Sequence, residues 1–242
     1  MALPWFHVLR MPETGEVVLL DRQEAKHALG PRRLGPGDEL VVFDGRGHRS
    51  VGRIIGRDER GDIEVVIDSI ETEPPESPTI ELAASLPKGD RLSTMLDMAT
   101  QLGVTAFRPL KCDFSVVSVE RKRQDPSERW SRILLEACKQ SRRATIPELR
   151  PESTPAEVIE DAPARQAMVV VGDPEGTGDL GPIRAAADVV ILVGPEGGFS
   201  PPEQAMLQDA ADAGHVHRVA IGRGVLRVES AATALIAAIR SG

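Results

Sequence analysis

The residues best placed to do chemistry stand in one glycine-rich segment, LVGPEGGFSPPE, residues 192–203. An apolar run there breaks into glycines around Glu196, and a helix start follows, since Ser200 and Glu203 have the spacing of a capping box. Such a loop exposes backbone N–H groups, as phosphate loops do. No Lys follows the glycines, however, no G-x-G-x-x-G spacing is present, and a carboxylate lies inside the loop. The segment therefore favours a neutral or cationic ligand over a phosphate.

Two further apolar runs end in glycine in the same way, VGDPEG at residues 171–176 and IGRGVLR at residues 221–227. Glycine lets a ligand approach the backbone where a side chain would block it. One such loop is usually an ordinary turn. Three in consecutive strand-to-helix connections predict a binding crevice, because ligands of parallel sheets lie beyond the carboxyl ends of the strands.

Arg227 and Glu229 follow the third loop directly. One interpretation is a surface salt bridge between them, which would contribute little to stability. The other is functional, because a planar guanidinium beside a ligand loop is suited to hold a base edge or a phosphate. The residue types alone leave both open.

Hydrophobic periodicity predicts two regions that differ in architecture. The first 70 or so residues indicate a small β-barrel, with strands at 16–20, 39–43, 50–55 and 62–67 and a helix at 21–29. Prolines at 74, 75 and 78 mark a linker. Strands and helices then alternate, which predicts an α/β fold with a mostly parallel sheet covered by helices. The expected strands are 79–85, 105–110, 167–171, 188–193 and 216–221, and the expected helices are 90–102, 126–143, 201–213 and 229–240.

Charge is unevenly distributed along this acidic chain, whose formal net charge is −8. Residues 105–150 carry 11 Lys or Arg against 6 Asp or Glu, whereas residues 151–242 carry 6 against 13. A polyanion is attracted by the local electrostatic potential of a surface and not by the net charge of the chain, so nucleic acid remains a possible partner. The two cysteines form no C-x-x-C motif, and no secretory or membrane-spanning pattern is present, so we expect a reduced, cytoplasmic protein without a metal site.

Several stretches together resemble the RsmE family of methyltransferases, which use S-adenosylmethionine (SAM) to methylate N3 of one uridine in 16S ribosomal RNA. The stretches are LVGPEGGFSPPE, AIGRGVLRVESAATAL, ASLPKGDRLSTMLDMATQLGVTAFRPL, RWSRILLEACKQSRRATIPEL and, nearer the N-terminus, HALGPRRLGPGDELVVFDGRG. They cover nearly the whole chain. The paired loops around GPEGG and VLRVES are far more specific than any lone glycine motif.

The resemblance implies a SPOUT-type α/β fold whose C-terminal part is tied in a trefoil knot, although the general expectation is against knots. It implies a PUA-like, RNA-binding β-barrel at 1–73, a linker at 74–78 and the methyltransferase domain at 79–242. It also implies a homodimer formed through the knotted domain. The implied partner is 16S rRNA of the small ribosomal subunit.

For the reaction that the resemblance implies, we expect roles for individual residues. Arg227 would stabilise negative charge on the base, and Glu229 would assist proton removal. The expected SAM-binding residues lie in the three loops: Gly172, Asp173, Leu192, Gly194, Pro195, Glu196, Gly197, Gly198, Ile221, Gly222, Gly224, Val225, Leu226 and Arg227. The expected RNA-binding residues are Arg32, Arg33, Lys88, Arg91, Arg129, Gln140, Arg142 and Arg143, for which a solvated surface is the alternative.

The chain departs from the family pattern at several positions outside the SAM loops. Met98 and Gln101 replace charged residues, Phe114 stands where an Arg is usual, and Arg227-Val-Glu-Ser replaces Arg-Thr-Glu-Thr. Two alternatives therefore stay open. One is a SPOUT methyltransferase acting on another RNA site or on transfer RNA, and the other is a non-catalytic RNA-binding relative.

Overall fold

The computed structural model describes residues 3–30, 32–117, 119, 126–177, 179–222 and 224–241. Within it the chain forms two compact units. The first unit comprises Met1–Pro75 and Leu135–Ile146, and the second comprises Glu76–Leu134 and Pro147–Gly242. The second stretch of the first unit, residues 135–146, has no counterpart in the sequence-based expectations.

The first unit contains a five-stranded sheet in the order β1-β3-β4-β5-β2. Its elements are β1 (Trp5–His7), β2 (Val17–Leu20), α1 (Arg22–Leu29), β3 (Glu39–Phe43), β4 (His48–Arg57) and β5 (Ile63–Thr72). Strands β1 and β3 pair in parallel and the other neighbours pair antiparallel. Alternate residues of β5, namely Ile63, Val65 and Ile67, enter a core that also holds Phe6 and Leu40.

The second unit contains a six-stranded sheet, all parallel, in the order β11-β9-β10-β6-β7-β8. Its strands are β6 (Thr79–Ser85), β7 (Ala106–Leu110), β8 (Glu148–Leu149), β9 (Met168–Thr177), β10 (Asp188–Val193) and β11 (Val216–Val219). Its helices are α2 (Arg91–Gln101), α4 (Pro155–Asp161), α5 (Gly181–Arg184), α6 (Pro201–Asp212) and α7 (Val228–Arg240), with a 3-10 helix at Ala162–Arg165. Helix α3 (Ser127–Ser141) begins in this unit, and its residues from Leu135 onward belong to the first unit. The predicted α/β class with a parallel sheet is confirmed.

Helices cover the central strands, which explains their nearly continuous apolar runs. All residues of β6 and β10 after the first are buried. Helix α7 buries Val228, Ala232, Leu235, Ile236 and Ile239 and packs against α2, β6, β9 and β10. Strand β11 lies at one edge of the sheet, so the chain passes from that edge back to the middle of the sheet in α7.

The segment Gly172–Gly176 differs from the prediction, which placed it in a loop after a strand ending at Val171. Strand β9 continues to Thr177, and the pairing with β11 shifts register. Val171 lies opposite Arg218, whereas Thr177 lies opposite Val219. The five residues 172–176 therefore form an irregular, bulged part of the strand. A Cβ atom at Gly176 would lie 2.5 Å from the carbonyl carbon of Arg218, so only glycine fits there.

No helix among the residues that the structure describes is long and apolar enough to cross a membrane.

Candidate active site

A cavity of about 410 Å³ opens in the second unit where β9, β10 and β11 give way to the segments that follow them. All three predicted glycine segments contribute to its wall. The predicted residues that line it are Gly172, Asp173, Gly194, Pro195, Glu196, Gly198, Ile221, Gly224, Val225 and Leu226. The cavity thus has the position expected for a ligand site of a parallel α/β sheet.

Four predicted SAM-binding residues do not line this cavity. Leu192 is fully buried in β10, and Gly197 lies against Phe114. Gly222 is exposed with a φ of 78°, and Arg227 is exposed at the N-cap position of α7. The three segments that the sequence pattern indicated meet at one cavity, but the pattern did not show which of their residues face it.

The remaining lining residues are not among the predicted ones, and most of them lie outside the three glycine segments. They are Pro174, Glu175, Val193, Phe199, Gln204, Leu207, Arg218, Val219, Val228, Ala231 and Leu235. Most are apolar, and three belong to α7, where Val228 and Leu235 are buried and Ala231 is half-buried. Their spacing of three and four residues is the signal that could have found them, because it places them on one face of a helix.

Gly172 and Gly194 make room for side chains of the chain itself. A Cβ atom at Gly194 would lie 2.9 Å from the ring of Phe199, and one at Gly172 would lie 2.9 Å from Cδ1 of Leu235. Since real Cβ contacts are longer than this, a side chain at either position would displace Phe199 or Leu235. Phe199 and Leu235 in turn form part of the cavity wall.

Two acidic residues of the cavity wall are held by arginines from other elements. Asp173 accepts a hydrogen bond of 2.6 Å from Nε of Arg218 and pairs with its Nη2. Glu196 pairs with Arg91, the first residue of α2, at 2.9 Å between Oε1 and Nη2. The carboxylate of the glycine loop is therefore held in place by a residue of α2. The sequence pattern did not indicate this contact.

Glu229 lies near the same arginine, Arg91. Its Oε2 atom is buried 3.8 Å from Nη1 of Arg91, and the side chain is only 13% exposed. That oxygen accepts no hydrogen bond from any described residue. Among the residues described, Arg227 forms no salt bridge with Glu229, so the surface-pair alternative does not hold. Arg91, which is also expected to contact RNA, lies between the glycine loop and α7.

The other predicted RNA-binding residues are mainly exposed. Arg33 and Arg142 both have left-handed backbone conformations, with φ of 55° and 60°, which is uncommon outside glycine. Arg129 pairs with Asp90 at 3.9 Å, while Arg143 is half-buried. Those exposed on the first unit are Arg32, Arg33, Gln140 and Arg142, and those exposed on the second are Lys88 and Arg129.

The cysteines and histidines offer no alternative chemistry in the described part of the chain. Burial raises the pKa of both the Cys112 and Cys138 thiols to about 12, so neither thiol is a nucleophile near neutral pH. No group of three His, Cys, Asp or Glu side chains among the described residues is arranged to hold a metal ion.

Comparison with known proteins identifies the class to which this fold and cavity belong. The family model for an RNA methyltransferase domain matches residues 75–240, which include the whole parallel sheet. The chain thus belongs to the class of RNA methyltransferases.

Full-length relatives narrow the class to one family. The chain is 33% identical over 240 residues to ribosomal RNA small subunit methyltransferase E of Mycobacterium bovis, covering 97% of this chain and 90% of the relative. It is 26% identical over 231 residues to the same enzyme of Bacillus subtilis, covering 90% and 87%. The structure of that enzyme from Neisseria gonorrhoeae, bound to S-adenosyl methionine, superposes with a TM-score of 0.85 at 29% identity, covering 99% and 98%. The chain belongs to the ribosomal RNA small subunit methyltransferase E family, and the resemblance to RsmE is confirmed.

Proposed function

We propose that this chain transfers the methyl group of SAM to N3 of a uridine in 16S rRNA of the small ribosomal subunit. The observation that carries the proposal is the cavity walled by three glycine segments, with Arg227 and Glu229 immediately beyond the third. Family membership supplies the kind of substrate. The proposed reaction accordingly takes place in the cytoplasm, where ribosomal subunits are assembled.

The cavity suits SAM in size and in surface chemistry. Its volume of about 410 Å³ lies within the range of about 300–1,000 Å³ typical of small-molecule sites. Val193, Leu226 and Leu235 offer apolar surface for an adenine ring, and the glycine segments would hold the remainder. Glu175 is exposed on the rim and forms no ion pair with any described residue, so its carboxylate is suited to a cationic ligand.

The proton at uridine N3 must be lost or shared before that nitrogen can act as a nucleophile. When bound, SAM supplies a methyl group on a positively charged sulfur. Arg227, exposed at the start of α7, would face the negative charge that develops on the base. Glu229, two residues further along the chain, would accept the proton directly or through water. Arg91 would keep that carboxylate beside the glycine loop.

RNA binding by the first unit is the second part of the proposal. We propose that residues 1–73 act as a PUA-like module, joined through the linker at 74–78 to the methyltransferase domain at 79–242. Exposed Arg32 and Arg33 support this assignment, and exposed Arg142 belongs to the same compact unit. If one of these arginines contacts a phosphate, replacing it should weaken RNA binding and reduce the salt dependence of that binding.

We further propose that the C-terminal part of the sheet is knotted and that two copies associate through this domain. The return of α7 from edge strand β11 to the middle of the sheet supports a chain crossing there.

Mapping the methylated nucleotide tests the proposed reaction. Small ribosomal subunits from cells that lack the protein would be incubated with the purified chain and isotopically labelled SAM, and digested RNA would be analysed by mass spectrometry. Label on N3 of one uridine is the expected result. Label on transfer RNA, on a ribose or at another base would identify a different methyltransferase, and failure to bind SAM in calorimetry would identify a non-catalytic relative.

Arg227 provides the test of the assigned mechanism. We expect Arg227→Ala to bind SAM as the wild type does but to lose turnover, and Arg227→Lys to recover part of it. Unchanged turnover in Arg227→Ala would remove Arg227 from the mechanism.

A further inference from the structure

Phe114 is the single exposed residue among the Phe and Trp residues of the chain. The sequence contains five Phe, two Trp and no Tyr, and all seven residues lie in the described part of the structure. Five of the seven are buried, Phe199 is partly buried, and Phe114 is 49% exposed. One exposed apolar residue is common on protein surfaces, so exposure alone assigns no role.

The backbone that carries Phe114 is held in place by hydrogen bonds on both sides. Within the turn, the Cys112 amide donates to Oγ of Ser115 at 3.0 Å, and the Ser115 amide donates to the Cys112 carbonyl at 2.9 Å. Oγ of Ser115 also lies 2.9 Å from Oγ of Ser85, at the end of β6. The ring is therefore presented by a fixed turn at the carboxyl end of the sheet.

A second set of hydrogen bonds joins this turn to the beginning of α6. Oγ of Ser200 donates to Oδ2 of Asp113 at 2.5 Å, and the Asp113 amide donates to Oε1 of Glu203 at 3.0 Å. Ser200 and Glu203 are the two members of the capping box that follows the glycine loop. The position of Phe114 is thus coupled directly to that loop.

The side chain of Phe114 lies against the glycine loop itself. A Cβ atom at Gly197 would stand 3.6 Å from Cβ and 3.7 Å from Cδ2 of Phe114, which is ordinary van der Waals contact. The residues on either side of Gly197, Glu196 and Gly198, line the cavity. The exposed ring is therefore one residue from the cavity wall.

We propose that Phe114 stacks on a nucleobase of the RNA substrate next to the uridine that enters the cavity. The proposal rests on the proposed function, because methylation at N3 requires access to the Watson–Crick edge of the base. A base reached in this way has left its stack, and its neighbour loses a stacking partner. An exposed aromatic ring in a fixed position replaces that partner at low entropic cost.

The experiment compares Phe114→Ala, Phe114→Leu and Phe114→Trp with the wild type. The ligand is a 16S rRNA fragment that contains the mapped uridine, with 2-aminopurine at each neighbouring position in turn. Stacking by one aromatic ring is typically associated with a change of about 5- to 150-fold in affinity. We expect Phe114→Ala and Phe114→Leu to weaken RNA binding by a factor in that range and Phe114→Trp to bind as the wild type does. Only the wild type and Phe114→Trp should quench the fluorescence of 2-aminopurine.

Leu is the discriminating variant, because it keeps the apolar bulk of the side chain without an aromatic face. Met98→Ala is a matched control, since Met98 is an exposed apolar residue on α2 of the same unit. SAM affinity measured by calorimetry should stay within twofold in all variants, which shows that the cavity is intact.

Two results would overturn the proposal while the proposed function stands. In the first, wild type methylates N3 and Phe114→Leu binds the fragment as tightly as wild type. In the second, the Phe114 variants change the oligomeric state in analytical ultracentrifugation, which would place the ring in an interface between two copies. Failure of the proposed function would instead appear as absent N3 methylation by the wild type.

Discussion

Glu81 lies at the centre of a buried ionic cluster, and its neutralisation should destabilise the second unit. Its side chain is 2% exposed and accepts hydrogen bonds of 2.6 Å from Nε of Arg108 and from Nη1 of Arg165, and a third from Arg150. Burial alone would lower the pKa of Arg108, but the carboxylates of Glu81 and Asp161 more than offset it and raise the pKa. The charge of Glu81 is thus matched by arginines from three segments.

The magnitude of the effect follows from the cluster's composition. Removing one member of a buried ion pair costs about 3–5 kcal/mol, because the remaining charge is left unpaired. In Glu81→Gln, Arg108 still pairs with Asp161 at 3.1 Å and Arg165 with Asp188 at 3.2 Å. We therefore expect the lower end, about 3 kcal/mol, which corresponds to a fall in Tm of about 6–12 °C for a chain of this size.

Trp130 provides an optical probe for the measurement, since it is buried in the second unit with its ring centroid 5.9 Å from that of Phe107. A Trp5→Phe background leaves it as the sole tryptophan, and unfolding by urea and by heat would be followed by its fluorescence. Glu148→Gln is the control, because Glu148 is an exposed partner of Arg150 and should change stability by less than about 1 kcal/mol. A loss below about 1 kcal/mol in Glu81→Gln would refute the reasoning.

Two further predictions concern the site and the thiols. Arg91→Gln should weaken SAM binding by up to about fivefold, because Glu196 loses its partner and the glycine loop loses its link to α2. The affinity would be measured by calorimetry. Tighter binding by the variant would show that Arg91 competes with the cofactor for the Glu196 carboxylate. Cys112 and Cys138, with thiol pKa values of about 12, should resist iodoacetamide at pH 8 in the native protein and react after unfolding. Modification of either thiol in the native protein would contradict their burial.

Local patterns predicted most of the elements because their apolar runs are bounded by turn residues. Strands 39–43, 79–85 and 188–193 have the predicted bounds. Strands β1 and β8 were missed, since two or three residues carry no periodicity and their pairing partners lie far away in sequence. Helix α4 also has a local signal in the sequence, a capping box from Thr154 to Glu157 like that of α6.

The site was predictable only as far as its chemistry is contiguous in sequence. Three glycine segments at consecutive strand ends indicated the crevice. The pairing of Arg91 with Glu196 joins residues more than one hundred positions apart, and the pairing of Arg218 with Asp173 depends on the register of β11 with β9. Such contacts follow from the tertiary fold, and no local pattern encodes them.

These same pairings bear on how an acidic chain could receive a polyanion. Asp173 and Glu196 each face an arginine, and Glu229 lies beside Arg91, so much of the negative charge at the cavity is balanced locally. Arg227 adds an exposed positive charge at the start of α7. RNA approaching this edge meets the local field rather than the formal net charge of −8. An acidic average is therefore compatible with an RNA substrate at this site.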